Sequence, residues 1–131
     1  MQSRALTICF LGTAVGWGSH GAQADPLPHF EQDVRPILAR HCHACHGADE
    51  QESQLGLHTV TAMLRGGANG PAIVRGRPSE SLLVEQIRFG EMPPDRKNLL
   101  DAKQIALIER WITLMISRLK TMARAHSGSW P

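Results

Sequence analysis

The ten residues from Arg40 to Asp49, RHCHACHGAD, decide how the rest of the chain is read. Cys42 and Cys45 stand three positions apart, and His46 follows the second thiol directly. Thiols and an imidazole at this spacing suit three chemistries: a zinc site, a redox dithiol, or a covalently attached haem. The surrounding sequence discriminates among them.

A structural zinc site takes four ligands, commonly as two separated pairs. Cys42 and Cys45 make one pair, but no second cysteine pair exists, and His58 and His126 stand far apart. His41, His43 and His46 are too close in sequence to the thiols to complete a tetrahedron easily. A thioredoxin-like dithiol sits where a strand meets a helix in a βαβ unit, and no strand pattern precedes Cys42. A structural disulfide here would close too short a loop to stabilise much. Covalent haem meets none of these objections. Cys42-His43-Ala44-Cys45-His46 has the C-x-x-C-H form of c-type attachment. Two thiols add across the porphyrin vinyl groups, and the turn between them brings His46 under the iron as a neutral imidazole ligand. One haem c is therefore the expected cofactor, and His41 and His43 are ordinary residues.

The start of the chain agrees with that chemistry. Arg4 is followed by an uncharged, mainly apolar run from Ala5 to Gly16, and Ala22-Gln23-Ala24 has the small-x-small form of a signal-peptidase site. The run is too short for a membrane span, which needs roughly 18–20 apolar residues. Residues 1–24 are expected to be a signal peptide, residues 25–124 one cytochrome c domain, and residues 125–131 a flexible tail. Export to the periplasm or beyond suits covalent haem attachment, and no membrane association is expected after cleavage. Loss of the leader removes Arg4 from the 14 basic residues, leaving 13 against 12 acidic and a net charge of +1. Such a balance lacks the strongly basic face that nucleic acid requires.

The remaining pattern is all-α, with three to four helices and long loops. Phe30, Val34, Ile37, Leu38 and His41 recur at helical spacing. Asp33 can cap this helix and leave Pro36 in the first turn; a start at Phe30 would require a kink at Pro36. A short helix is expected over residues 57–64, and another follows Ser79 or Ser81 through Leu82, Leu83, Ile87 and Phe89 until Gly90 ends it. Asp101 and Gln104 form a capping-box variant that opens the longest helix. Its stripe is Ile105, Ile108, Ile112, Met115 and Leu119, widened by Trp111. Loops this long in so small a domain need a reason to be ordered, and a large flat ligand wrapped by them supplies one.

A methionine on the second face of the iron would define an electron carrier, whereas an empty face suits a haem enzyme or a gas or redox sensor. Met115 lies on a core stripe, Met122 near a fraying end, and Met63 close to His46 in a short helix. Met92 follows the helix-ending Gly90 and precedes Pro93-Pro94, which stiffen the segment carrying it. Met92 is the expected second ligand. The glycine-rich loop of residues 65–78 lacks a P-loop ending, and its glycines suit close approach of backbone to a porphyrin. Pro71 in that loop is a candidate carbonyl partner for the second ring nitrogen of His46. Arg65, Arg75 and Arg77 are candidate partners of the haem propionates.

The segments VRPILARHCHACHG (34–47), GGANGPAIVRGRPSESLLVEQI (66–87), MPP (92–94) and LDAKQIALIERWI (100–112) together resemble the planctomycete-type cytochrome c domain. The likeness runs from about Phe30 to Thr113. It implies a small cytochrome c-like fold of three or more helices around one haem, with first and last helices crossing. It also implies thioether links at Cys42 and Cys45, His46 and Met92 on the iron, and Pro71 facing the His46 ring. An exported monohaem electron carrier, not itself an enzyme, with redox proteins as partners, is the function expected. His58 departs from the acidic residue common in the family after the LGL segment.

Overall fold

The computed structural model describes residues 26–126, with side chains placed as far as residue 116. The expected signal peptide, residues 127–131, and the side chains of Leu119 and Met122 lie outside the described residues. Five α-helices follow one another: α1 (Arg35–His41), α2 (His43–His46), α3 (Val60–Arg65), α4 (Leu82–Arg88) and α5 (Ala102–His126). Among the described residues there is no β-strand, only two isolated bridges, His46 with Gln51 and Gly67 with Gly70. The all-α expectation therefore holds. The helix beyond the expected three or four is α2, a single turn made by the cysteine motif itself.

Pro36 shapes the first helix. A single π-helical turn, Phe30–Val34, runs into α1, and the Arg35 N–H reaches back five residues to the Phe30 carbonyl. Widening the turn relieves the clash that a proline ring makes with the carbonyl four residues earlier. The helical path thus starts at Phe30, and Asp33 accepts from the His29 N–H at 2.6 Å instead of capping the helix from its own position. Val34, Leu38 and Cys42 fall at successive four-residue steps and are all buried, so α1 carries its apolar face straight into the first thiol.

Expected and observed boundaries differ where a local cap decides them. Thr59 Oγ1 accepts from the Ala62 N–H at 3.1 Å, so α3 starts at Val60 and leaves Leu57 buried in the preceding loop. In α5 the capping box is complete: the Gln104 N–H donates to Asp101 Oδ1 and the Asp101 N–H to Gln104 Oε1, both at 2.9 Å. The helix continues to His126.

Ile108, Trp111 and Ile112 on α5 pack with Val34 and Leu38 of the first helical segment and Leu83, Val84 and Ile87 of α4 in one core. The rings of Phe30 and Trp111 stand 5.4 Å apart, bringing the first and last helical segments together. Phe89 departs from the apolar stripe expected of α4, since its side chain is 75% exposed. It is the C-cap residue, and Gly90 at φ +67° turns the chain away from the helix just beyond it.

Ser81 precedes α4 as expected but uses its hydroxyl elsewhere. It donates to the Arg77 carbonyl and accepts from the Val74 N–H, each at 2.9 Å, while fully buried. Ser81→Ala removes both part-buried hydrogen bonds, each contributing about 0.5–1.5 kcal/mol. It is expected to lower stability by about 1–3 kcal/mol, measured as a shift in the urea midpoint of the matured protein with the slope unchanged.

Candidate functional site

The loops between the helices enclose a cavity of about 360 Å³, within the range of roughly 300–1,000 Å³ typical of cofactor and ligand sites. Cys42, Cys45, His46 and Met92 all line it. Apolar walls come from Leu55 and Leu57 after the motif, Ala72 from the glycine-rich loop, and Leu82, Leu83 and Ile87 from α4. Four segments distant in sequence thus converge on the cysteine motif.

The motif is held by its own turn and by the chain that follows it. The His46 N–H donates to the Cys42 carbonyl at 2.9 Å, closing α2. The chain then folds back through Ser53 and Gln54, both left-handed at φ +54° and +61°. This return sets Leu55-Gly56-Leu57 against α2. The Leu57 N–H donates to the His46 carbonyl at 2.7 Å. His46 Nδ1 lies 3.2 Å from the Leu55 carbonyl, and His43 Nε2 3.3 Å from the Leu57 carbonyl. A hydrogen bond from Nδ1–H fixes the His46 tautomer and leaves Nε2 free to ligate.

That carbonyl differs from the one expected. Pro71 is exposed and does not line the cavity, whereas Leu55 is placed by the backbone return nine residues beyond His46. The left-handed pair that makes the return consists of Ser and Gln, neither of them among the Gly, Asn and Asp that favour left-handed backbone, so the sequence carried little signal for it. The glycine-rich loop still shapes the site. Gly67 and Gly70 line the cavity, and a Cβ on Gly67 would sit 2.5 Å from the Ser53 carbonyl oxygen. A glycine there lets the loop pack against the return, where the Ala68 N–H donates to the Ser53 carbonyl at 2.8 Å.

Both thiols are free. Burial pushes the Cys42 thiol up to about 11, with Cys45 adding to the effect. The Glu52 carboxylate beside Cys45 raises that thiol also. Among the described residues no three His, Cys, Asp or Glu side chains converge to hold a metal ion. Two free thiols on one cavity wall, beside an imidazole whose Nδ1 is engaged and whose Nε2 is left to ligate, fit attachment and ligation of a haem.

The methionines separate by burial. Met63 is fully buried in the core and Met115 packs against it, whereas Met92 lines the cavity and is 40% exposed. Arg77 pairs with Glu80 at 2.8 Å. Arg65 lines a shallow neighbouring hollow that shares Gly67 with the cavity. None of Arg65, Arg75 and Arg77 is on the cavity wall itself, where the charged residues are Glu52 and Asp95.

A helical shell around a cavity that carries a C-x-x-C-H turn defines a c-type cytochrome domain. Residues 42–96 match the family model described as Planctomycete cytochrome C, and this part of the chain is a planctomycete-type cytochrome c domain. The match opens on Cys42 and closes just beyond Met92-Pro93-Pro94, a narrower span than the likeness read from the sequence. No curated protein and no solved structure matches the chain. A domain of this family implies haem c as the cofactor. Among the described residues no helix is long and apolar enough to cross a membrane.

Proposed function

We propose that the protein is an exported monohaem cytochrome that carries single electrons between redox partner proteins. In this reading Cys42 and Cys45 hold one haem through thioether bonds, and His46 and Met92 ligate its iron. The observation that carries it is the shared cavity wall: the thiols, the imidazole with its free Nε2, and one methionine meet there. Bound haem supplies a ferric/ferrous couple. The chain's own part is to exclude water and hold both ligands still. Leu55, Leu57, Leu83 and Ile87 keep the cavity apolar. The Leu55 carbonyl orients His46, and Pro93-Pro94 restrict the segment bearing Met92. Fixed ligands limit reorganisation between oxidation states, which suits a carrier. Export rests on the leader Met1–Ala24 and on the extracytoplasmic setting of c-type attachment.

A second reading follows from the 40% exposure of Met92. A ligand so near the surface could leave the iron, giving a haem enzyme or sensor with an open position. Carbon monoxide separates the two. The native ferrous carrier is expected to bind it poorly, and ready binding overturns the carrier reading. Attachment is tested on protein made with a c-type maturation system. A pyridine haemochrome spectrum and a mass increase of one haem are expected, and both should vanish in a Cys42→Ala/Cys45→Ala variant.

A further inference from the structure

We infer that His41 is a positioning residue for Met92, its imidazole pinning the strap of residues 92–98 to the end of α1 beside Cys42. The inference rests on the reading of Met92 as an iron ligand.

His41 closes α1, precedes Cys42 and lines the cavity. Both ring nitrogens are engaged across long sequence separations. Nδ1 lies 2.8 Å from the Asn98 carbonyl, and Nε2 lies 3.3 Å from Gln104 Nε2. A carbonyl only accepts and an amide NH2 only donates, so the proton sits on Nδ1 and Nε2 accepts. Gln104 cannot reverse its amide without loss, because its Oε1 already accepts from the Asp101 N–H. The imidazole therefore joins the end of α1, the end of the strap and the start of α5.

The strap is held at two points. Near Met92, the N–H groups of Glu91 and Met92 both reach the Gln86 carbonyl, at 3.0 and 3.2 Å. At the far end, Asp95 to Asn98 form one turn, with the Asn98 N–H on the Asp95 carbonyl and the Lys97 N–H on Asp95 Oδ1. Pro93 and Pro94 connect the two points stiffly. A tether on Asn98 is thus transmitted through the turn and the prolines to Met92. The long-range side-chain tether on that turn is His41, whose neighbour in sequence is the first haem-attaching thiol.

Three variants of the matured protein test this. His41→Phe keeps the ring but loses both hydrogen bonds. His41→Asn keeps a donor near the Nδ1 position, within reach of Asn98, and His41→Gln places its amide near Nε2, toward Gln104. The readouts are the methionine-to-ferric-iron charge-transfer band and the rate of carbon monoxide binding to the ferrous form. In His41→Phe the ratio of ligated to open iron is expected to fall roughly two- to tenfold, the factor one ordinary tethering hydrogen bond supplies. His41→Asn should retain the band, and His41→Gln should behave like His41→Phe. A carbon monoxide binding rate in His41→Phe equal to that of the wild type overturns the inference. Should His41→Phe fail to fold, equal carbon monoxide binding rates in the Asn and Gln variants overturn it instead. Met92→Ala serves as the control: a band unchanged in that variant refutes the ligand assignment and the tether with it. A band lost in Met92→Ala together with a wild-type carbon monoxide binding rate in His41→Phe refutes the tether alone.

Discussion

Gly66→Ala is expected to destabilise the haem-loaded protein by roughly 2–6 kcal/mol, combining about 1–3 for backbone strain and about 1–3 for steric displacement. Gly66 ends α3 at φ +77° and ψ −166°, a region occupied almost only by glycine. A Cβ there would also collide with the Gly70 carbonyl and come within 2.5 Å of Pro71 Cα. Both obstacles are backbone, so no rotamer change relieves them. The turn in which Gly67 and Gly70 exchange backbone hydrogen bonds at 3.0 and 3.1 Å would have to move. That turn forms part of the cavity wall, and the yield of haem-loaded protein should fall along with stability. Gly70→Ala is the control. Gly70 is also left-handed, at φ +97°, but nothing lies within 4 Å of its would-be Cβ. It should lose only the backbone share, about 1–3 kcal/mol. Urea melts of both variants check the pair, and equal losses would contradict the steric account.

These glycines show which features are legible in the sequence. The loop is recognisable by composition, but composition does not say which glycine bears the collision and which merely faces space. Local rules read well elsewhere. Asp101 and Gln104 cap each other because they are three residues apart, and Cys42, Cys45 and His46 share one turn for the same reason. Features set by distant segments read poorly. The Leu55 carbonyl reaches His46 only because Ser53 and Gln54 turn left-handed, and nothing in their identity favours Leu55 over Pro71. His41 appears in the sequence as a residue on an apolar stripe. Its role emerges once Asn98 and Gln104, 57 and 63 residues away, are brought to its two nitrogens. Phe89 continues the helical periodicity of α4, yet the turn at Gly90 leaves it in solvent.

Polar and apolar demands on the cavity also explain the order of the segments. The motif supplies thiols and imidazole, so the walls opposite must exclude water without adding competing ligands. Leu82, Leu83 and Ile87 do this from α4, which is anchored behind by Val84 in the core. The same helix ends at the strap, through the Gln86 carbonyl, so one short element sets both the apolar wall and the start of the Met92 segment. The Arg88–Glu109 pair at 2.5 Å ties α4 to α5 at the surface. Surface pairs contribute little, and the buried Leu83, Val84 and Ile87 do most of the holding.

Met92→Ala follows from that arrangement as the change with the largest effect on redox behaviour. Cys42, Cys45 and His46 are untouched, so covalent haem content should equal that of the wild type. The thioether sulfur favours ferrous iron and raises the potential, whereas water or hydroxide in its place favours ferric iron. The potential is therefore expected to fall, by a substantial share of the roughly 0.8 V that axial ligation spans across haem proteins. The ferrous form should bind carbon monoxide readily, and the methionine-to-iron charge-transfer band should disappear. Stability should change much less than in Gly66→Ala, because Met92 is 40% exposed and lies outside the core. Met63→Ala provides the contrast: Met63 is fully buried in the core, so its loss should cost about 2–5 kcal/mol and leave the charge-transfer band in place. Redox titration, carbon monoxide difference spectra and urea melts on the two variants separate ligand from packing. A band that persists in Met92→Ala and vanishes in Met63→Ala would transfer the ligand role to the core methionine.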